Sequence, residues 1–475
     1  MENLRAWLDK VDKAGNLKRF DNADWNLEVG YLTACNWKKR DAPALLFDNI
    51  KGYPQGFRIL TSAVHAPSQV CSVVKTPHRG SDRNLIQALR KKFEIWDANI
   101  DKYEPRPVKE GPILQNIRSK DDVDLLLFPT PLWHEKDGGR YIGTGNIVIT
   151  KDPDSGEVNL GTYRIMIQDK KTAGLYISPG RHGRLHIEKY HARGERCPVA
   201  VSLGHHPALF AVGGQQFPAG KEYSYAGAMQ EEAVDVITEE VTGLPIPADS
   251  EIVIAGWCPP DKLLPEGPFG EFTGYYASGV RGSWVIEVER IYFRDDPILL
   301  GAPPGRPPNE TNYYNMVVHS AILHNELEKA GVPDVANVCV HDLRNFFVTV
   351  ALKQRYAGHA KQVAILASEL ASTGGIGPKY AIVVDEDIDV TDIKEVIWAL
   401  CTRSDPAEDV DIIRRTRNSA LDPALKKPAQ GFFSSRAIID GCRPFEWIKE
   451  FPEVIEFSAE IREKMASKFG DLCEP

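Results

Sequence analysis

Apolar residues recur at helical spacing at the start of the chain, with Leu4, Leu8 and Val11 on one face, and the pattern stops at Gly15-Asn16. This predicts an opening helix within residues 2–14. Short β-like runs, "PALLFDNI" and "GFRILTS", follow. From residue 145 the period shortens to that of strands broken by turns: "NIVITK", a "DPDSGE" turn, "VNLGTYRIMIQ", a "DKK" turn and "AGLYIS". A helical stretch, "RHGRLHIEKYHAR", closes on Gly194, and the strands "PVAVSLG", "SEIVIAGW" and "WVIEVERIYF" carry the pattern to about residue 300. Proline and glycine then concentrate in "GAPPGRPPNET", 301–311, the best candidate boundary. Beyond it, the helical "YNMVVHSAILHNELEKAG" leads into alternation: "NFFVTVALK" strand, "GHAKQVAILASELAS" helix, "KYAIVVDEDIDV" strand, "IKEVIWALCTR" helix. Three parts are expected: a β-rich α+β domain over 1–304, a linker helix region over 305–332 and a smaller α/β domain over 333–475. The final amphipathic segment, "EVIEFSAEIREKMASKF", is expected to pack on its own domain or on a neighbouring subunit.

Composition narrows the class without naming a function. The 475 residues are 43% hydrophobic and 26% charged, ordinary for a globular protein and enough for two or three cores. The longest apolar runs, such as "YAIVV" and "QVAILA", fall far short of a membrane span. A net charge of −9 without a long basic stripe argues against nucleic acid as the main partner. The opening "MENLRAWLDK" has no basic leader followed by an apolar block, so no secretion signal is expected. Eight cysteines stand singly, with no Cys-x-x-Cys, which excludes a zinc ribbon and points to free thiols in a reducing cytoplasm.

The most unusual stretch is "PEGPFGEFTGYY", 265–276, which sets Glu266 and Glu271 either side of a Gly-Pro-Phe-Gly bend. Five positions apart, they would face opposite sides of a strand, or diverge by about 140° on a helix. Only an irregular backbone brings them together, and Gly267, Pro268 and Gly270 permit one. The acids are then either incidental to a structural turn or parts of a site. In "NLGTYR", 159–164, Arg164 sits within a strand pattern, with Gly161 as a possible bulge. Buried, it needs anionic partners, and the two glutamates are suitable; otherwise it faces solvent. "RHGRLH" places His182 and His186 at helical i, i+4 spacing, but Gly183 stands where a zinc peptidase has glutamate, so one surface and one packed histidine is the plainer account. Glu222, before a small-residue helix start, either interacts with that helix N-terminus or ligates a hard cation. The acids of "VVDEDIDVTD" are explained by a strand-to-helix turn with Thr391 or Asp392 as cap, and "STGGIGPK" by a loop. Lys361, near a possible helix start, offers a weak anion signal.

Taken together, "NLGTYR", "SPGRH", "KEYSYAGAM", "PEGPFGEFTGYY", "QRYAGHAK" and "VVDEDIDV", in this order, resemble the UbiD family of decarboxylases that use prenylated FMN. The resemblance runs from the first helix to the C-terminal region, and "PEGPFGE" is its most specific part. It implies a split-barrel-like, β-rich N-terminal flavin-binding domain (1–304), a linker helix and a smaller α/β C-terminal oligomerisation domain (333–475). By the same resemblance Asn159, His182 and Glu222 hold a divalent metal, Mn²⁺ or Mg²⁺, against the cofactor phosphate. Oxygen and imidazole donors without thiolate suit such a cation. Arg164, Glu266 and Glu271 match the family's catalytic network, with Glu271 as proton donor and Glu266 holding Arg164. Thr162, Tyr163 and the turn at Arg181 resemble flavin contacts, and "VGGQQF", 212–217, lies where the family binds phosphate and K⁺.

The reaction so implied is reversible, non-oxidative decarboxylation of an aromatic or heteroaromatic acid, releasing CO₂. A flavin prenyltransferase supplies the cofactor, and a homodimer or homohexamer is expected. Two other readings stay open: a subunit of an aromatic carboxylase complex, and a metal-dependent hydrolase using Glu266 and Glu271 as acid and base. For the substrate pocket, "GRPPNETNYYN", 305–315, and "QGFFSSR", 430–436, are the candidates, with Phe432 or Phe433 either as ring-stacking walls or as core.

Overall fold

The apolar stripe at the start folds as expected, into a helix over Leu4–Lys13 whose N-terminus is capped by the Asn3 side chain. The structure, a computed structural model, describes residues 1–77, 80–215, 217–341, 344–372, 377–419, 421–425 and 432–473. The middle of "STGGIGPK" (373–376) and residue 216 of "VGGQQF" lie outside the described residues.

Strands Leu17–Asp21, Ala44–Asp48, Arg58–Thr61 and Ile298–Leu300 make a four-stranded sheet. The last of these brings the chain back to the N-terminal region just before the Pro/Gly-rich stretch.

A ten-stranded sheet forms the middle of the molecule. Its main path runs Tyr141–Gly143, Arg164–Ile167, Thr172–Tyr176, Arg281–Phe293, Ile252–Cys258, Cys197–Leu203, Asn146–Lys151, Val158–Gly161. Strands Leu263–Glu266 and Asn116–Ser119 pair separately with Arg281–Phe293. The stretch "VNLGTYRIMIQ", read above as a single strand, is corrected here to two. Val158–Gly161 pairs with Asn146–Lys151, whereas Arg164–Ile167 pairs with Thr172–Tyr176 and Tyr141–Gly143. These partners lie toward opposite ends of the strand order, yet Gly161 and Arg164 are only three peptide links apart. Such a connection spans at most roughly 11 Å. The sheet therefore curls until its ends approach, and Thr162-Tyr163 bridge the gap.

After the Pro/Gly-rich stretch, the helix Asn312–Lys329 packs between the helix Asp82–Asn99, where Arg90 Nε donates to Asn325 Oδ1 at 2.8 Å, and the next sheet. That sheet has five strands, in the order Val335–Val340, Phe347–Leu352, Tyr380–Asp385, Phe433–Gly441, Val410–Arg417. Its three middle strands run parallel and both outer pairs antiparallel. The α/β alternation holds, with Asp392 capping the helix Ile393–Arg403 through Lys394 N. The terminal helix Ala459–Cys473 leaves residues 459–464 and 466–469 exposed rather than packed on the body of the chain.

Candidate active site

Glu266 ends the strand Leu263–Glu266, so its direction is set by the ladder with Arg281–Phe293. The backbone then leaves the ladder at Gly267, whose φ of +90° favours glycine, and Glu271 follows with its N–H on Tyr275 O at 3.0 Å. Arg164 opens the strand Arg164–Ile167, which pairs with Thr172–Tyr176 in the same sheet, and the three ionic groups meet. Its Nε lies 2.8 Å from Glu266 Oε1 and its second terminal nitrogen 2.8 Å from Oε2. The first terminal nitrogen donates to Glu271 Oε1 at 2.6 Å. All three side chains are at least nine-tenths buried. The alternative of a solvent-facing Arg164 is thereby ruled out.

The guanidinium lies over two rings, 4.5 Å from the centre of Tyr176 and 5.1 Å from that of Phe269. Burial works against its charge, but the Glu271 and Glu266 carboxylates outweigh that cost and raise its pKa. Tyr141 donates to Glu266 Oε1 at 2.8 Å, and burial beside that carboxylate pushes its hydroxyl far above the usual range. Tyr141 therefore stays a proton-bearing donor. Nothing in its surroundings in the sequence marks it, because its role depends on a partner 125 residues away.

Two cavities meet at Thr162, Tyr163, Arg181, Phe210 and Thr311, which line both. The smaller, about 220 Å³, has Arg164 and Glu271 in its wall, with Tyr176, Phe269 and Phe272 as aromatic sides. The larger, about 390 Å³, is lined by Asn159, His182, Glu222 and residues 213–215. His182 and Glu222 are the first residues of the helices His182–Ala192 and Glu222–Gln230, whose N-terminal N–H groups favour an anion. Glu222 Oε2 is buried with no hydrogen-bond partner, and burial raises its pKa to about 7. Thr162 Oγ1 is likewise buried and unpartnered. The Tyr163 ring fits because residues 161 and 183 are glycines: a Cβ there would stand 2.2 Å and 2.7 Å from its atoms.

The split of the long strand explains why these cavities adjoin. Asn159 belongs to its first half and Arg164 to its second, so the two-residue crossing carries the chain from one cavity to the other. His182 is exposed at the cavity, while His186 is packed, with Nδ1 3.0 Å from Thr150 Oγ1. Lys361 is paired with Asp411 at 2.6 Å. Among the described residues, Phe432 and Phe433 line neither cavity and are 46% and 44% exposed, which corrects both accounts of them given above. The C-terminal region contributes Ser419 and Leu421 instead, while Pro304, Thr311, Tyr314 and Asn315 come from the Pro/Gly-rich stretch and the helix after it.

Three consecutive stretches match domains of 3-octaprenyl-4-hydroxybenzoate carboxy-lyase: the N-terminal domain over 8–89, the Rift-related domain over 106–307 and the C-terminal domain over 313–441. The chain is 30% identical to pyrrole-2-carboxylic acid decarboxylase of Pseudomonas aeruginosa, across 98% of this chain and 94% of that one. It is 31% identical to phenolic acid decarboxylase of Streptomyces sp. strain D7, across 98% and 99%. Among solved structures, the UbiD-class enzyme HmfF of Pelotomaculum thermopropionicum in complex with FMN superposes with a TM-score of 0.85 at 26% identity, covering 98% of this chain and 100% of that one. An evolved dimeric form of HmfF in complex with prFMN, also 26% identical and with the same coverage, gives 0.81.

Proposed function

The chain belongs to the UbiD family of carboxy-lyases, and from that premise we propose that it decarboxylates an aromatic or heteroaromatic acid with prenylated FMN as cofactor. The observation that carries the proposal is Arg164 held between two buried carboxylates in the wall of one cavity, beside a second cavity with oxygen and imidazole donors.

The donor set fits the implied groups. Asn159, His182 and Glu222 would hold a divalent cation, which would give the orphaned Glu222 oxygen a partner and supply positive charge against a phosphate. Thr162, Tyr163 and Arg181, which line both cavities, would then border the flavin. When bound, the prenylated flavin supplies the sink for the electron pair that a departing carboxyl group leaves on ring carbon.

The chain's own residues do the rest. Arg164 attracts the substrate carboxylate into the small cavity and keeps both glutamates in register. Glu266, fixed by Tyr141, holds Arg164. Glu271, once it has taken up a proton from solvent, gives it to the ring carbon after CO₂ has left, so the carbon–carbon bond lost is replaced by carbon–hydrogen. The same reading carries a K⁺ on backbone oxygens of 212–217, a flavin prenyltransferase as cofactor supplier and self-association through 333–475.

The test is Glu271→Gln in protein produced together with a flavin prenyltransferase. Bound modified flavin should stay at the parent level while CO₂ release from pyrrole- and phenol-type acids falls by about 10²-fold or more. Undiminished turnover overturns the donor role, and failure of the parent protein to take up flavin overturns the cofactor.

A further inference from the structure

The stretch that carries Glu271 leaves its strand at Gly267 and, besides the Arg164–Glu271 contact and the packing of Phe269 on Tyr141, is held by a small turn at 134–138. Asp137 Oδ1 accepts the N–H of Gly270, the residue before Glu271, at 3.0 Å. Gly138 N donates to Pro268 O at 2.7 Å. The other Asp137 oxygen accepts from His134 N at 3.1 Å and stands 3.1 Å from His134 Nδ1. The Asp137 side chain is fully buried. The two Asp137 carboxyl oxygens therefore gather two backbone N–H groups, and one of them also faces the imidazole Nδ1.

The fit is close on both sides. A Cβ at Gly138 would stand 2.0 Å from Gly267 O, and one at Gly270 would stand 3.0 Å from His134 Nδ1. The bend lies directly against the turn. It is thus held in part by a carboxyl group that lines neither cavity, yet bonds the residue one peptide link from the proton donor.

We infer that Asp137 is a positioning residue for Glu271, acting through the Gly270 N–H, with His134 orienting Asp137. The inference rests on the assignment of Glu271 as proton donor made above. Proton transfer to carbon is sensitive to donor placement: an error of about 1 Å in a catalytic group costs on the order of 10²-fold in rate. Asparagine at 137 keeps the volume but turns an N–H₂ toward one of the two backbone donors, so it cannot serve Gly270 and His134 together.

The experiment uses full-length, flavin-loaded Asp137→Asn. Flavin content and KM should hold, kcat should fall by about ten- to a hundredfold, and the solvent deuterium isotope effect on kcat should rise as proton delivery slows. A defect of folding alone lowers the active fraction and leaves the isotope effect where it was. Should Asp137→Asn not fold, His134→Phe keeps a ring against Gly270 and removes only the imidazole bond, with a smaller loss of kcat and the same rise expected. The inference is overturned by a kcat at the parent level, or by a loss of kcat matched by flavin loss without change in isotope effect. If Glu271→Gln is inactive while Asp137→Asn is normal, this inference alone fails; if Glu271→Gln is active, the donor assignment has failed first.

Discussion

Arg164→Lys separates charge from geometry at the centre of the site. Lysine keeps the positive charge but offers one ammonium in place of a planar fork. The fork here spans two carboxylates, with 2.8 Å contacts to Glu266 and a 2.6 Å contact to Glu271. A single ammonium can hold one of them well. Losing one charge-assisted contact costs about 1.5–3 kcal/mol. Losing the guanidinium from over Tyr176 and Phe269, at 4.5 and 5.1 Å, costs a further ~0.5–1 kcal/mol. Together these make about 2–4 kcal/mol, or roughly 30- to 900-fold in kcat at 1.36 kcal/mol per decade. CO₂ release and deuterium incorporation from heavy water, measured on flavin-loaded protein, read the effect. Flavin absorbance confirms that the cofactor site is intact. A lysine variant with parent-level kcat and full flavin content would falsify the claim that the fork couples the two acids.

Two further substitutions probe the frame around the site. Gly161→Ala drives a methyl to 2.2 Å from the Tyr163 ring, an overpacking worth about 1–3 kcal/mol, so flavin affinity should drop about ten- to a hundredfold in a titration. Unchanged affinity would show that Tyr163 has room to move without cost to the cofactor site. Glu310 is fully buried and accepts from Ser62 N, Val64 N and Trp37 Nε1, yet burial outweighs these donors and raises its pKa from 4.5 to about 7. A carboxyl raised in the folded state stabilises most below pH 4.5, and that contribution is lost as pH rises to about 7, a total of about 3 kcal/mol. Glu310→Gln should therefore lose part of the fall in stability over that window, up to about 1.4 kcal/mol per pH unit, in denaturant melts. Glu222, raised the same way, keeps the rest in metal-free protein, and a slope identical to the parent's would refute the assignment.

What the chain made legible follows from the range of the interactions. Glu266, Glu271 and their bend could be read because glycine and proline state a backbone requirement locally, and two acids around them pose a question that only a site or a turn answers. The helices at residues 4 and 182 were legible from period and from the glycines that end them. The strands Val410–Arg417 and Phe433–Gly441 escaped notice because the first carries three arginines on an exposed edge and the second holds little alternation, so neither shows an apolar period. Phe432 and Phe433 misled because aromatic character says nothing about whether the start of a strand faces water. Ser419 and Leu421, ordinary residues in an ordinary loop, carry no signal at all. Their place at the cavity is a property of how the C-terminal region folds back on the rest.

The break at Thr162-Tyr163 was hidden for a different reason. Both halves of "VNLGTYRIMIQ" satisfy strand patterning, so the period runs on through the point where the pairing partner changes. Pairing partner is a three-dimensional choice, and here that choice makes the site. Were the stretch one continuous strand, Asn159 and Arg164 would lie about 17 Å apart along it, at 3.3–3.4 Å per residue, on opposite faces of the sheet. One face could then serve a metal or an ion-pair network, but not both around a single cofactor. Turning between Gly161 and Arg164 lets the curled sheet close on itself and brings two chemistries to neighbouring cavities. The two bridging residues line both. Gly161 is therefore constrained twice, by the Tyr163 ring that lies over it and by the turn that follows it, which is why the smallest side-chain change in this region is expected to act on cofactor binding.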